Sequence, residues 1–156
     1  MAKRAVFVLL FGFVLIYLPV RVFWLLQWPA GIGGLQVTGM VIGGIGAAIA
    51  LSSAAAFAFI GRGTPAPFAA PRRLVTRGLH RFVRNPMYIG VGLFFAGGAI
   101  LYQSVLGFAY VALFVVSSHL FIVFYEEPTL RQQFGAEYAK YCERVARWWP
   151  RVRQDA

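Results

Sequence analysis

The first 125 residues contain no aspartate and no glutamate. Charged residues make up only 13% of this 156-residue chain, against about 25% in soluble domains. Hydrophobic residues make up 60%, more apolar surface than so short a chain can hide in a water-soluble core. A single cysteine, Cys142, excludes an internal disulfide and a cysteine-based zinc cluster. No internal repeat or low-complexity tract is present. These shortages point to lipid as the solvent.

Uncharged runs occupy 5–20, 22–61 and 85–125. A helix needs about 20 apolar residues to cross the hydrocarbon core, so the two longer runs exceed one span each. The last run folds into a hairpin turning near Tyr102-Gln103-Ser104, and the middle run turns at Gln27-Trp28-Pro29-Ala30-Gly31. Four helices are expected, over 6–27, 34–60, 86–102 and 104–125. Met1-Ala2-Lys3-Arg4 before an apolar run is signal-like. The run continues past Arg21 without a small-residue cleavage site, so a retained first helix is expected.

Two Lys or Arg residues precede helix 1, six lie in the 61–84 loop and six follow helix 4. Four spans place these three segments on one side, which the positive-inside rule makes cytoplasmic. Arg21, near Trp24 and Trp28, snorkels to the opposite interface. The net charge of +10 is explained by topology and anionic headgroups rather than by nucleic acid. The expected class is therefore an all-α integral membrane protein of four transmembrane helices, with both termini cytoplasmic. A single membrane domain, 1–156, divides into a helix pair at 1–60 and a core at 61–151. The location expected is a cell inner membrane, multi-pass.

Gly44-Ile45-Gly46 resembles a fragment of a dinucleotide fingerprint, but a membrane helix lacks the strand–turn–helix setting that motif requires. Gly39-x-x-x-Gly43, with Ala47 and Ala50, reads as close helix packing.

The 61–84 loop begins with glycines and prolines, then carries five arginines and His80. It ends in Arg84-Asn85-Pro86-Met87-Tyr88-Ile89-Gly90. Asn85 is a favourable cap and Pro86 a favourable first helical residue, so helix 3 starts at Pro86. Its N-terminus suits an anion. Tyr88 lies in the first turn, and Gly90 lets a flat ligand approach the backbone. At the far end of helix 4 stand Glu126 and Glu127, about 100° apart on a helix. His119 lies two turns deeper, and an ionisable group inside a span is a functional candidate. Beyond Pro128, the residues Leu130, Phe134, Tyr138, Tyr141 and Val145 form one helical stripe, the mark of a C-terminal amphipathic helix. Arg147-Trp148-Trp149-Pro150-Arg151 reads as an interfacial anchor.

Leu74-Val75-Thr76-Arg77-Gly78-Leu79-His80, Arg84 to Gly90, Glu126-Glu127 and Phe134-Gly135-Ala136-Glu137-Tyr138-Ala139-Lys140-Tyr141, in that order, resemble the isoprenylcysteine carboxyl methyltransferase family and its phospholipid methyltransferase relatives. The resemblance covers 61–151. It implies a membrane-embedded methyltransferase that binds S-adenosyl-L-methionine at the cytoplasmic ends of the last two helices. Arg72, Arg73, Leu74 and Val75 match the stretch that contacts the cofactor before helix 3. His80 falls where the family usually has tyrosine. Asn85, Pro86, Met87 and Tyr88 match a His-Pro-x-Tyr motif, and Gly90 follows it. Glu126 matches the cofactor glutamate, with Glu127 beside it. Glu126 and His119 are the catalytic candidates.

One position departs from the carboxyl methyltransferases. An arginine that engages the substrate carboxylate is replaced by Ile122, so the acceptor implied is a lipid amine, a hydroxyl or another lipophilic group. Membrane lipids are the expected partners, with no metal. Two alternatives remain: an NADPH-dependent membrane reductase, since sterol reductases look distantly similar around Arg-x-Pro-x-Tyr, and a non-catalytic membrane scaffold.

Overall fold

The computed structural model describes residues 9–26, 29–61 and 73–150. Residues 1–4, the Gln27-Trp28 part of the first turn, Arg72 and the proline-bearing start of the 61–84 loop lie outside the described residues, as does Arg151. Five helices follow in order: α1 (Leu9–Phe23), α2 (Gly34–Phe59), α3 (Pro86–Leu101), α4 (Val105–Phe121) and α5 (Glu127–Arg144). Among the described residues there is no strand, only a parallel bridge between Val83 and Ala146. The helix α2 and the continuous stretch Val105–Arg144 are each long and apolar enough to cross a membrane, while α1 and α3 are shorter apolar helices. Their outer faces expose Leu9, Ile16, Ile45, Leu51, Phe59 and Val105. An apolar surface this extensive suits hydrocarbon rather than water.

Small residues set the packing. Along one side of α3, Gly90 and Gly97 meet Gly39, Gly43 and Gly46 of α2 backbone to backbone. A Cβ at Gly39 would lie 2.6 Å from the Gly97 carbonyl oxygen, and one at Gly46 would collide with Phe94 N. The other side of α3 meets aromatic rings. Phe95 packs edge-on to Tyr110 and Phe114 of α4, and Phe23 of α1 lies over Phe95 at 6.0 Å. Thus α3 is the central helix, seamed to α2 by glycine and to α1 and α4 by aromatics. The hairpin between α3 and α4 turns where expected. Gln103 takes a positive φ of 48°, and Ser104 caps α4 by accepting a hydrogen bond from Gly107 N at 3.1 Å.

Prolines act alike in two places. A wide π turn, Phe13–Tyr17, precedes Pro19, and a second, Ile122–Glu126, precedes Pro128. In the first, the Leu18 N–H bonds back to the Phe13 carbonyl. The next donor in that wide register is the nitrogen of Pro19, which carries no hydrogen. The stranded Val14 carbonyl instead accepts from the Tyr110 hydroxyl at 3.0 Å. The second π turn lets α4 run into α5 without a break, so the amphipathic tail helix continues the last apolar one. Within α5, Gly135 adopts φ 49° and bends the helix. The stripe expected there is present: Tyr138, Tyr141 and Val145 are buried together, with Leu130, Phe134 and Leu74 against them.

Candidate functional site

The start of α3 and the end of α4 meet at one end of the bundle. Tyr88, in the first turn of α3, is buried, and its hydroxyl donates to Glu126 Oε2 at 2.9 Å. Phe11 of α1 covers the Tyr88 ring edge-on at 5.9 Å and stacks on Phe121 at 4.3 Å. Ile122 is buried beside them. The pair therefore sits against an apolar wall supplied by α1 and the end of α4.

Glu127 points elsewhere, as a rotation of about 100° per residue requires. Arg147 donates to it through a fork, Nε to Oε1 at 2.7 Å and Nη2 to Oε2 at 2.9 Å. Arg84 Nη1 adds a contact to Oε1 at 3.2 Å. Hydrogen bonding to the carboxylate raises the Arg147 pKa above its ordinary value. Glu127 thus has two cationic partners. Glu126 has none within ion-pair distance among the described residues.

The C-terminal segment ties these parts together. Arg84 N donates to the Ala146 carbonyl at 2.9 Å, and Asn85 Nδ2 donates to the Arg147 carbonyl at 3.3 Å. Asn85 does stand at the cap position of α3, but its side chain makes no cap hydrogen bond. The tail carbonyl has claimed its amide. Trp148 Nε1 donates to His119 Nδ1 at 3.2 Å, with the rings 6.1 Å apart.

The structure brings only some of the expected residues together. Tyr88 and Glu126 meet directly. Pro86 opens α3 and Met87 follows it, half-buried. His119 is exposed and, among the described residues, has no contact to Tyr88 or Glu126. The π turn inserts an extra residue into the helical period and rotates Glu126 off the face that carries His119. The close approach at Gly90 is to α2: a Cβ there would lie 2.7 Å from the Gly46 carbonyl oxygen. Val75 is buried, Leu74 packs on the Tyr138 cluster, and Arg73 is exposed with its N–H on the Gly61 carbonyl at 3.3 Å. Arg72 lies outside the described residues.

His80 is 2% exposed, lies edge-on to Phe57 of α2 at 5.0 Å, and both ring nitrogens lack partners among the described residues. Burial holds its pKa at about 4, against an ordinary 6.5, so the ring is neutral at physiological pH. Its carbonyl accepts from the Tyr141 hydroxyl at 2.6 Å, pinning the loop to α5. No group of three or more metal-ligating side chains occurs among the described residues.

The sequence pattern of phospholipid methyltransferases matches residues 35–137. The chain belongs to the phospholipid methyltransferase family. That membership makes it a methyltransferase-family membrane protein suited to lipid-type substrates. No curated protein and no solved structure matches the chain. The family match begins at the start of α2, ahead of the motifs from residue 61 onward. The matched range thus takes in both sides of the glycine seam, α2 and the site-bearing α3.

In the sequence, Arg84 belongs to the block before α3 and Arg147 to an interfacial anchor, and neither is paired there with Glu127, which both of them hold. A signal was available. The chain has five acidic side chains against fifteen basic ones, and an adjacent carboxylate pair at an apolar boundary calls for arginine partners.

Proposed function

We propose that this chain is an integral membrane S-adenosyl-L-methionine-dependent methyltransferase acting on a lipophilic acceptor. Four helices cross a cell inner membrane, both termini are cytoplasmic, and the Tyr88–Glu126 pair lies at the cytoplasmic side. The carrying observation is the unequal treatment of two adjacent carboxylates. Glu127 is paired with Arg84 and Arg147, whereas Glu126 has only the Tyr88 hydroxyl among the described residues and is left open to a ligand.

These residues fit the cofactor. When bound, S-adenosyl-L-methionine supplies an electrophilic methyl group on a cationic sulfur. Glu126 offers the negative charge or hydroxyl acceptor that such a ligand needs, and Tyr88 holds one of its oxygens in place. The Met87 and Tyr88 N–H groups at the α3 N-terminus, with Arg73 and Arg72 before it, suit a carboxylate. His80 carries two unpartnered nitrogens on the same loop. Phe11, Phe121 and Ile122 keep water from the Tyr88 side of Glu126. Transfer from a sulfonium is a direct displacement, so orientation and dryness contribute much of the rate.

Ile122 also bears on the acceptor. Its side chain is 1% exposed and apolar, so it cannot pair with a substrate carboxylate, and a lipid amine or hydroxyl is the better match. The catalytic assignment rests on Glu126; His119 stands apart with Trp148.

Isothermal titration of the purified protein in detergent tests this reading. Saturable binding of S-adenosylhomocysteine is expected, with no competition from NADPH. Absence of binding at high micromolar concentration sinks it. Lipid extracts made with and without the protein, compared for a mass gain of one methyl group, then identify the acceptor.

A further inference from the structure

The described residues 145–148 cross three separate parts of the molecule within four positions. Ala146 accepts from Arg84 N, the Arg147 carbonyl accepts from Asn85 Nδ2, the Arg147 side chain grips Glu127, and Trp148 donates to His119. Two of these anchor points adjoin the Tyr88–Glu126 pair in sequence. Asn85 precedes α3, three residues before Tyr88, and Glu127 follows Glu126. The pair joins residues 38 positions apart, and the strap fastens both ends from a third place.

We propose that Arg147 is a positioning residue for Glu126. A bidentate pair fixes the orientation of a carboxylate as well as its distance. Gripping Glu127 at 2.7 and 2.9 Å therefore fixes the rotational phase of the helix at that point. With the phase set, Glu126 is aimed at Tyr88. The Arg147 carbonyl meanwhile holds Asn85, which sets where α3 begins and hence where the Tyr88 hydroxyl lies. One residue thus references both members of the pair to the same frame. The Glu127 side chain is 9% exposed and that of Arg147 30%, so the grip is shielded on the carboxylate side and weakly screened. Arg84 reinforces it from the loop but holds only one oxygen, at 3.2 Å.

The role rests on the cofactor reading above, and its test separates the two. Full-length protein in detergent is titrated with S-adenosylhomocysteine as wild type, Arg147→Ala, Tyr88→Phe and the double variant, each checked for helix content and monodisperse elution. Each single change is expected to weaken binding about tenfold, and the double change also about tenfold, because both act on one pair; independent sites would multiply to about a hundredfold. Arg147→Lys keeps the charge but loses the fork, and recovers only part of the affinity. Should Arg147→Ala fail to fold, Arg147→Lys takes its place in the cycle. A folded Arg147 variant with wild-type affinity overturns the proposal, and so do multiplying effects. If the wild type itself binds no S-adenosylhomocysteine, the cofactor reading fails instead. The same cycle is then read by thermal unfolding, where additive losses from Arg147 and Tyr88 overturn the positioning role.

Discussion

The Tyr88 hydroxyl and the Glu126 carboxylate, 2.9 Å apart, form a direct side-chain link between the first turn of α3 and the π turn that follows α4. An intramolecular hydrogen bond contributes about 0.5–1.5 kcal/mol net. Tyr88→Phe removes the donor and keeps the ring that packs on Phe11. S-adenosylhomocysteine affinity should fall about tenfold, roughly 1.4 kcal/mol and within that energy range, while Glu126→Gln, which removes the carboxyl group itself, should fall further. Titration calorimetry on the two variants checks the order. Equal affinities for Tyr88→Phe and wild type would show that the link is idle in binding.

The glycine seam predicts a contrast between a glycine inside it and one outside it. Gly97 faces the backbone of Gly39 and Gly43, whereas a Cβ at Gly44 meets nothing within 4 Å. Gly97→Val must push α2 and α3 apart, at a cost of about 2 kcal/mol or more. Gly44→Ala should stay within about 0.5 kcal/mol of wild type. Thermal unfolding in one detergent compares them, and a similar loss for both would contradict the packing.

The bond from Tyr110 to the Val14 carbonyl predicts a background-dependent effect. Tyr110→Phe strands that carbonyl beside Pro19, costing about 1 kcal/mol. With Pro19→Ala already present, residue 19 supplies an N–H and the same change should cost much less. An unchanged cost in both backgrounds would mean that the wide turn is not what exposes the carbonyl.

His80 gives stability a pH dependence of defined sign. Its pKa drops from 6.5 to about 4 on burial. Between those values the unfolded chain binds a proton that the folded chain refuses. Stability therefore rises with pH across this window and is flat above it. The full drop amounts to about 3 kcal/mol at most, at roughly 1.4 kcal/mol per pKa unit. His80→Phe should flatten the slope between pH 4 and 6.5, since the Tyr141 bond uses the backbone carbonyl and survives. Unfolding midpoints across that range measure it; an unaltered slope would assign it to other groups.

Much of the helix plan was legible because charge is so scarce. Arg4, Arg21, the loop arginines and Glu126 bracket the apolar runs, and Pro86 and Ser104 mark where α3 and α4 begin. The α2 glycines announced close packing by their spacing. The unread parts depend on partners distant in the chain. Nothing local tells Asn85 that a tail carbonyl will take its amide. Nor does spacing alone move His119 off the face of Glu126, because two turns of an ordinary helix would align them. The π turn that separates them arises where Pro128 meets the end of α4. Gly90 in its local context suggests room for a flat ligand, whereas the close approach there is by the α2 backbone at Gly46 and Ala50, which no local pattern announces.

The strap at 145–148 also orders how the molecule is assembled. Both of the places it fastens, at Arg84-Asn85 and at Glu127, precede it in the chain and leave the ribosome first. The α2–α3 seam is built from residues 39–101 and uses none of α4. The Tyr88–Glu126 pair gains its frame only after Arg147 has been synthesised. A nascent chain stalled before that point carries the helical seam and an unfastened site, so competence waits on Arg147.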